Sequence, residues 1–387
     1  MKNFVFHNPT KILFGKDTIP SIGKETAAFG KKALMVYGQG SINKNNIYEQ
    51  VTKSLYEAGV TIVEHAGVKS NPVLSHVHRG IILAKENRVD VIVAVGGGSV
   101  IDSAKAIAAG ALVEHDVWKF FIGKKSIKDA LPLTSVLTLA ASGSEMNSGM
   151  VITNEETKQK FGFANKHLYP KVSILDPTAT FTVSPEYTAF GAVDAIAHVL
   201  EYYFTNQEPY TPVQDHFMEG LVISCMDSCN RVLQNLEDYD ARADLMWAAT
   251  LALNGLTGAG LGKVGFPMHM IEHSLSALYN IAHGAGLSIV VPGWMVYQAQ
   301  QTPDKLAQFG ERIFGLTSGS MAEKAAGGTQ ALLSWFKKVK APTSLTDLHI
   351  SEQDIPMIAE NAVALAKVVR MRDYTEEKIG EILRLCL

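Results

Sequence analysis

The 387-residue chain has little cysteine, little net charge and no long apolar run. Its only thiols are Cys225, Cys229 and Cys386. The C-x-x-x-C spacing of the first two is not that of a zinc knuckle and lacks a partner pair, so they read as buried thiols of a reducing cytoplasm. Lys and Arg total 35 against 38 Asp and Glu, with no basic stretch, which excludes an ordinary nucleic-acid binder. No uncharged apolar segment approaches the ~20 residues of a membrane-spanning helix. The N-terminal stretch MKNFVFHNPTKILFGKDTIP has scattered charges and prolines in place of the apolar core of a secretory signal. A low-complexity linker and a repeat of fixed period are also missing. These absences leave a cytoplasmic globular protein without nucleic-acid or membrane partners.

What is present is a chain too long for one core, since single cores stop growing near ~250 to 300 residues. From about Lys31 to Pro177, β-branched runs such as ALMVYG (33–38), VTIVEHAG (60–67) and VDVIVAVGGGS (89–99) alternate with helical stretches (45–59, 76–88). That alternation predicts a parallel α/β sheet. After DPTATFTVSP (176–185), apolar residues recur at helical spacing only, as in AFGAVDAIAHVLEYYF (189–204). The expected architecture is therefore an α/β dinucleotide-binding domain over 1–180 and an all-α domain over 181–387.

In VIVAVGGGSVIDSAKAIAAG (91–110) a buried strand passes through Gly96, Gly97 and Gly98 into a helix opened by Ser99. Such a turn brings backbone N–H groups close to a phosphate at a helix N-terminus, although it also serves as a plain strand-to-helix connection. It is neither the Rossmann fingerprint, because Ile101 fills the sixth position, nor a Walker loop. A second turn, LTLAASGSEMNSG (137–149), follows another apolar strand and supplies Thr138, Ser142 and Ser144. Two such turns at strand ends form the crevice where open α/β sheets bind nucleotides. The strand 33–38 ends at Gly38, followed by Ser41 and Lys44, with no carboxylate to repel a 2′-phosphate, so the reading favours NADP(H) over NAD(H).

Asp194 and His198 lie four apart among Ala, Val, Ile and Leu, hence on one helical face. They are either a simple buried pair or two metal ligands. The segment GFPMHMIEHSLSALYNIAHGAG (265–286) adds His269, His273 and His283. Asp194, His198 and two of these imidazoles make a site for Fe²⁺ or Zn²⁺, whose net positive charge suits a Lewis acid for an alkoxide or carbonyl oxygen. His269-x-x-Glu272-His273 also matches an inverted zinc-protease motif.

Taken together, GGGS (96–99), TLAASGSE (138–145), DPTAT (176–180), GAVDAIAHVLE (191–201), MHMIEHSLSA and IAHGAGLSIVVP (268–292) resemble the iron-containing (group III) alcohol dehydrogenases, nearest the butanol dehydrogenase and aldehyde reductase branch, over nearly the whole chain. The resemblance implies a metal and cofactor in a cleft between the two domains, with Asp194, His198, His269 and His283 as ligands. It places His273 near the nicotinamide and substrate rather than on the metal. It further implies Gly97, Gly98 and Ser99 at the pyrophosphate, Asp102, Thr138, Leu139, Asn147 and Lys160 as cofactor contacts, and Gly38 and Ser41 near the 2′-phosphate. Where the family commonly has Thr-Thr-Ala-Gly-Thr-Gly-Ser-Glu this chain has TLAASGSE, so the contact at Leu139 can come only from its backbone. Thr178 stands where the family often has Leu.

The expected reaction is reversible hydride transfer between NADP(H) and a primary alcohol or aldehyde, with His273 relaying a proton. Phe163, Phe266, Met150 and Met268 are candidate apolar lining. The resemblance also implies a homodimer, for which residues 3–9 (NFVFHNP) are a candidate edge strand. The rival readings are a glycerol dehydrogenase-like or dehydroquinate synthase-like relative on the same fold, and a zinc hydrolase using Glu272 as its base.

Overall fold

The apolar run before the glycines forms strand β4 (Val91–Gly96), buried at every residue, as a strand covered on both faces of a parallel sheet must be. In the computed structural model, which describes residues 1–208 and 210–387, β4 belongs to a six-stranded parallel sheet. Its companions are β1 (Lys11–Phe14), β2 (Lys32–Gly38), β3 (Thr61–Val68), β5 (Leu133–Leu137) and β8 (Val172–Leu175), in the order β1-β8-β5-β4-β2-β3. Helices α1 (Ile22–Ala27), α2 (Ile47–Glu57), α3 (Leu74–Asn87) and α4 (Gly98–Gly110) and the single turn α5 (Trp118–Phe121) connect the strands. Ile47, Val51 and Leu55 of α2 close one face over Met35, Val93 and Val136. The chain runs from β2 outward to β3 but from β4 the other way to β5. The C-terminal ends of neighbouring β2 and β4 therefore flank the topological switch point of the sheet.

Outside the sheet, β6 (Gly149–Asn154) and β7 (Gln159–Ala164) form an antiparallel hairpin that the sequence reading does not anticipate. Its turn has no glycine. Asn154 Oδ1 accepts from the backbone N–H groups of Glu156 and Thr157, and Lys158 takes the positive φ of 50°.

Past residue 184 the secondary structure is helical: α6 (Pro185–Thr205), α7 (Pro212–Gln234), α8 (Tyr239–Ala252), α9 (Pro267–Tyr279), α10 (His283–Ala299), α11 (Asp304–Phe314), α12 (Met321–Lys338), α13 (Ile355–Val368) and α14 (Glu376–Arg384). Two compact units result, one of residues 7–183 with 236–254 and one of residues 1–6, 184–235 and 255–387. Helix α8 thus packs with the sheet: Thr250 Oγ1 donates to Glu145 Oε1 (2.6 Å) and Trp247 meets Phe14 edge-on. Residues 3–9 form no strand within the chain; the nearby Lys2 N–H donates to Gly260 O at 2.8 Å. Among the described residues, no helix is long and apolar enough to cross a membrane.

Candidate metal centre and nucleotide turns

Helix α6 starts cleanly because Ser184 caps it, accepting from the Tyr187 N–H, and Pro185 occupies its first turn. Asp194, His198 and Glu201 then recur at i, i+4 and i+7, one stripe of the helix, and all three are buried. Helix α9 brings in His269, and α10 begins at His283. That first turn of α10 can press inward because of two glycines. A Cβ at Gly284 would lie 2.1 Å from Phe190 O on α6, and one at Gly286 would lie 2.6 Å from Glu272 Oε1 on α9.

The result is convergence on one carboxylate oxygen. His198 Nδ1 lies 3.4 Å, His283 Nε2 3.6 Å and His269 Nε2 3.7 Å from Asp194 Oδ1. These separations are long for hydrogen bonds. They are close to the edge of a tetrahedron whose ligands stand about 2.1 Å from a central cation, roughly 3.4 Å. Asp194 Oδ1, His198 Nδ1 and His269 Nε2 are fully buried without a hydrogen-bond partner, and buried polar atoms are ordinarily satisfied. One anion and three imidazoles therefore fit a divalent metal in both charge and donor type.

Two further carboxylates fix the rings. Glu201 Oε1 accepts from His269 Nδ1 (3.0 Å) and from the His269 backbone N–H (2.8 Å), while Glu272 Oε2 accepts from His283 Nδ1. A carboxylate can only accept, so each imidazole is held with its Nε2 lone pair toward Asp194. Burial holds His198 down at about 3 and hence neutral. In the metal-free chain burial would likewise lower His269, but Asp194 and Glu201 outweigh it and raise its pKa to about 9, so a cation entering the site displaces a proton from that ring. Asp194 would be pushed up by burial, yet the imidazoles of His198, His283 and His269 bring it below the usual carboxylate range.

The protease-like motif is accounted for by the same contacts. Glu272 is 0% exposed, with one oxygen on His283 and the other accepting from Ser276 Oγ at 2.5 Å. It has no water-facing oxygen to act as a base. Asp194, His198 and His269 form one group and Glu272, His273 and His283 another; His283 reaches Asp194 from the second group, and the His273 ring lies 5.5 Å from that of His283. Neither Glu201 nor Glu272 was expected as an orienting residue, although the i+7 spacing of Glu201 from Asp194 is a readable signal. Replacing Glu272 with Gln should weaken metal binding about 10- to 100-fold, measured by competition with a chelator; wild-type affinity would show that its hydrogen bond does not orient His283.

In the sheet unit the two glycine turns touch. A Cβ at Gly98 would lie 2.1 Å from Ser142 Oγ and one at Gly97 3.2 Å from Leu139 Cβ, while Thr138 N–H donates to Gly96 O. Helix α4 points its N-terminus there, Gly38 ends neighbouring β2 and Ser41 follows it. Several expected cofactor contacts are also engaged within the protein. Ser99 Oγ donates to Ser70 O and Lys160 Nζ to Asn71 Oδ1. Asp102 accepts from Ser144 Oγ and the Val151 N–H, and Asn147 Oδ1 accepts from Lys105 Nζ. Met150 and Met268 are core residues, 1% and 0% exposed. Met150 stands opposite Phe163 in the hairpin, and Met268 lies in the first turn of α9.

A parallel sheet with paired glycine turns, followed by helices that gather one carboxylate and three imidazoles, defines a class: an α/β nucleotide-type unit joined to a helical metal-type unit. Residues 9–177 match the family described as iron-containing alcohol dehydrogenase, and residues 188–387 its C-terminal domain. The chain belongs to the iron-containing alcohol dehydrogenases, and is an NAD(P)-dependent oxidoreductase of that family. It is 40% identical to a probable NADH-dependent butanol dehydrogenase of Bacillus subtilis, with both chains fully covered. It is 37% identical to the NADPH-dependent aldehyde reductase YqhD of Escherichia coli, over 92% of each. Among solved structures, an NADH-dependent butanol dehydrogenase A from Thermotoga maritima matches with a TM-score of 0.95 and 49% identity, over 100% of this chain and 99% of that one.

Proposed function

We propose that this chain is an iron-dependent, NADP(H)-linked alcohol dehydrogenase and aldehyde reductase for primary aliphatic substrates such as butanol and butanal, working in the cytoplasm as a homodimer. The observation that carries the reading is the convergence of Asp194, His198, His269 and His283, three of whose facing atoms are buried and unpartnered. In the proposal these four residues hold Fe²⁺, with Zn²⁺ the alternative that the same donors accept. When bound, the metal supplies Lewis acidity toward the substrate oxygen and the nicotinamide gives or takes the hydride.

The chain's own residues do the rest. Asp194 contributes the single negative charge. Glu201 and Glu272 hold two imidazoles in the tautomer that faces it. His273 moves the proton of the substrate hydroxyl at its imidazole, the side chain whose ordinary pKa lies nearest neutrality. Changing His273 to Ala should leave metal content unchanged and lower kcat roughly 10²- to 10⁴-fold. Loss of metal from that variant would instead make His273 a ligand.

Preference for NADP(H) rests on Gly38, which puts no carboxylate of its own at the end of β2. NAD(H) is the second reading, because the Bacillus and Thermotoga relatives are described as NADH-dependent. A side chain fits at Gly38, whose nearest neighbour to a new Cβ is Val68 O at 3.8 Å. The Gly38→Asp variant should shift the NADPH-to-NADH ratio of kcat/KM at least about tenfold toward NADH, because like charges 4 Å apart repel by about 4 kcal/mol near a protein surface. An unchanged ratio would mean that the ribose lies elsewhere. The homodimer is supported by the N-terminal segment, where Phe4, Val5 and Phe6 are exposed together; a monomeric mass by light scattering would contradict it.

A further inference from the structure

The ammonium of Lys105 is 0% exposed, yet it takes no part in the reaction proposed above. It sits seven residues into α4, on a stripe with Gly98 and Asp102 at i, i+4 and i+7. Every member of that stripe faces the second glycine turn. Gly98 leaves room for Ser142. Asp102 Oδ1 accepts from Ser144 Oγ (2.6 Å) and its Oδ2 from the Val151 N–H (2.9 Å). Lys105 Nζ has four acceptors within hydrogen-bond distance, Ser144 Oγ (2.9 Å), Asn147 O (2.9 Å), Asn147 Oδ1 (3.0 Å) and Gly149 O (2.7 Å), which its three N–H groups share.

We infer that Lys105 is a positioning residue for the nicotinamide nucleotide: it sets the separation of the two glycine turns that cradle the pyrophosphate, without touching the cofactor itself. An ammonium has no acceptor capacity and three hydrogens to give. Here it draws three residues of one loop toward a single point on α4. A fully desolvated cation is costly unless it is surrounded by acceptors, so the arrangement holds only with the loop in place. Asp102 completes the clamp from the same helix face and supplies opposite charge. Asn147 is held from both sides, its Oδ1 also accepting from the Gly149 N–H and its Nδ2 donating to Ser142 O. Lys105 therefore fixes the carbonyl ladder of 142–149 through Asn147, and Gly98 fixes how closely that ladder approaches the N-terminus of α4.

The inference rests on the nucleotide reading, and the two fail differently. The test is Lys105→Met in the iron-loaded full chain, with Ser144→Ala as a second variant that removes only the hydroxyl shared by Lys105 and Asp102. The probes are NADPH, NADH and ADP-ribose. For Lys105→Met the expected result is a tenfold or greater rise in the KM for the nucleotide and in the Kd for ADP-ribose. Its kcat at saturating nucleotide should stay within about threefold of wild type, with unchanged metal content. Ser144→Ala should show the same split at smaller size. A wild-type chain that binds none of the three probes would overturn the nucleotide reading. Normal binding by wild type together with an unchanged KM and Kd in both folded variants would overturn the role of Lys105 alone, as would a fall in kcat with no change in KM.

Discussion

Replacing Asp194 with Asn should strip the protein of bound metal while leaving it folded, and should lower kcat/KM with butanal roughly 10³-fold. The substitution preserves shape and removes one charge, and that charge is the only anion among the four converging donors. Three neutral imidazoles would then face a divalent cation with nothing to offset its charge in a buried site. The neighbouring carboxylates do not compensate. Glu201 Oε1 and Glu272 Oε2 sit on His269 Nδ1 and His283 Nδ1, on the side of each ring away from Asp194. Metal analysis after anaerobic purification checks this directly. Full occupancy in the variant would mean that the cation sits on Glu272, His273 and His283.

The second large effect should come from the other unit. In Gly98→Val the new Cβ would stand 2.1 Å from Ser142 Oγ and 3.0 Å from Ser142 Cβ, so the second turn must retreat from α4. Overpacking of this kind costs about 1–3 kcal/mol, and each 1.4 kcal/mol is about tenfold in affinity. Nucleotide affinity should fall roughly 10- to 100-fold while metal content stays at the wild-type level, because the residues converging on Asp194 all come from α6, α9 and α10. Fluorescence titration with NADPH measures the first quantity and metal analysis the second. Parallel loss of both would indicate general unfolding.

These contrasts show which parts of the molecule were legible in the sequence. A strand buried on both faces writes a continuous apolar run, so β4 and its glycine turn could be read directly, and an apolar helix that contains a carboxylate and an imidazole four apart advertises Asp194 and His198. Glu201 was legible in principle, as the third member of the same stripe, but one Glu at a helix end carries no distinguishing pattern. In the sequence Glu272 reads only as part of a protease-like motif, because its partner His283 comes from the next helix and Gly284 and Gly286 allow the approach. Lys105 looked like an ordinary helix residue. Its function depends on carbonyl groups of a loop some 40 positions away, and side-chain patterning does not record where backbone acceptors will point. The hairpin β6–β7 was hidden for a related reason, since its turn is built by Asn154 and Lys158 without glycine. Helix α8 groups with the sheet through Thr250 and Glu145, a long-range pairing that linear spacing cannot encode.

Titration of activity against bound metal decides whether the four-donor centre serves an oxidoreductase reaction. Chain freed of metal by chelation is reloaded with increasing Fe²⁺ under anaerobic conditions, and NADPH oxidation with butanal is followed at each occupancy. The rate should be proportional to metal bound, passing through zero at zero occupancy and saturating at one ion per chain. A rate that persists in the metal-free chain, or fully loaded protein that leaves butanal unreduced with both NADPH and NADH, would contradict that role.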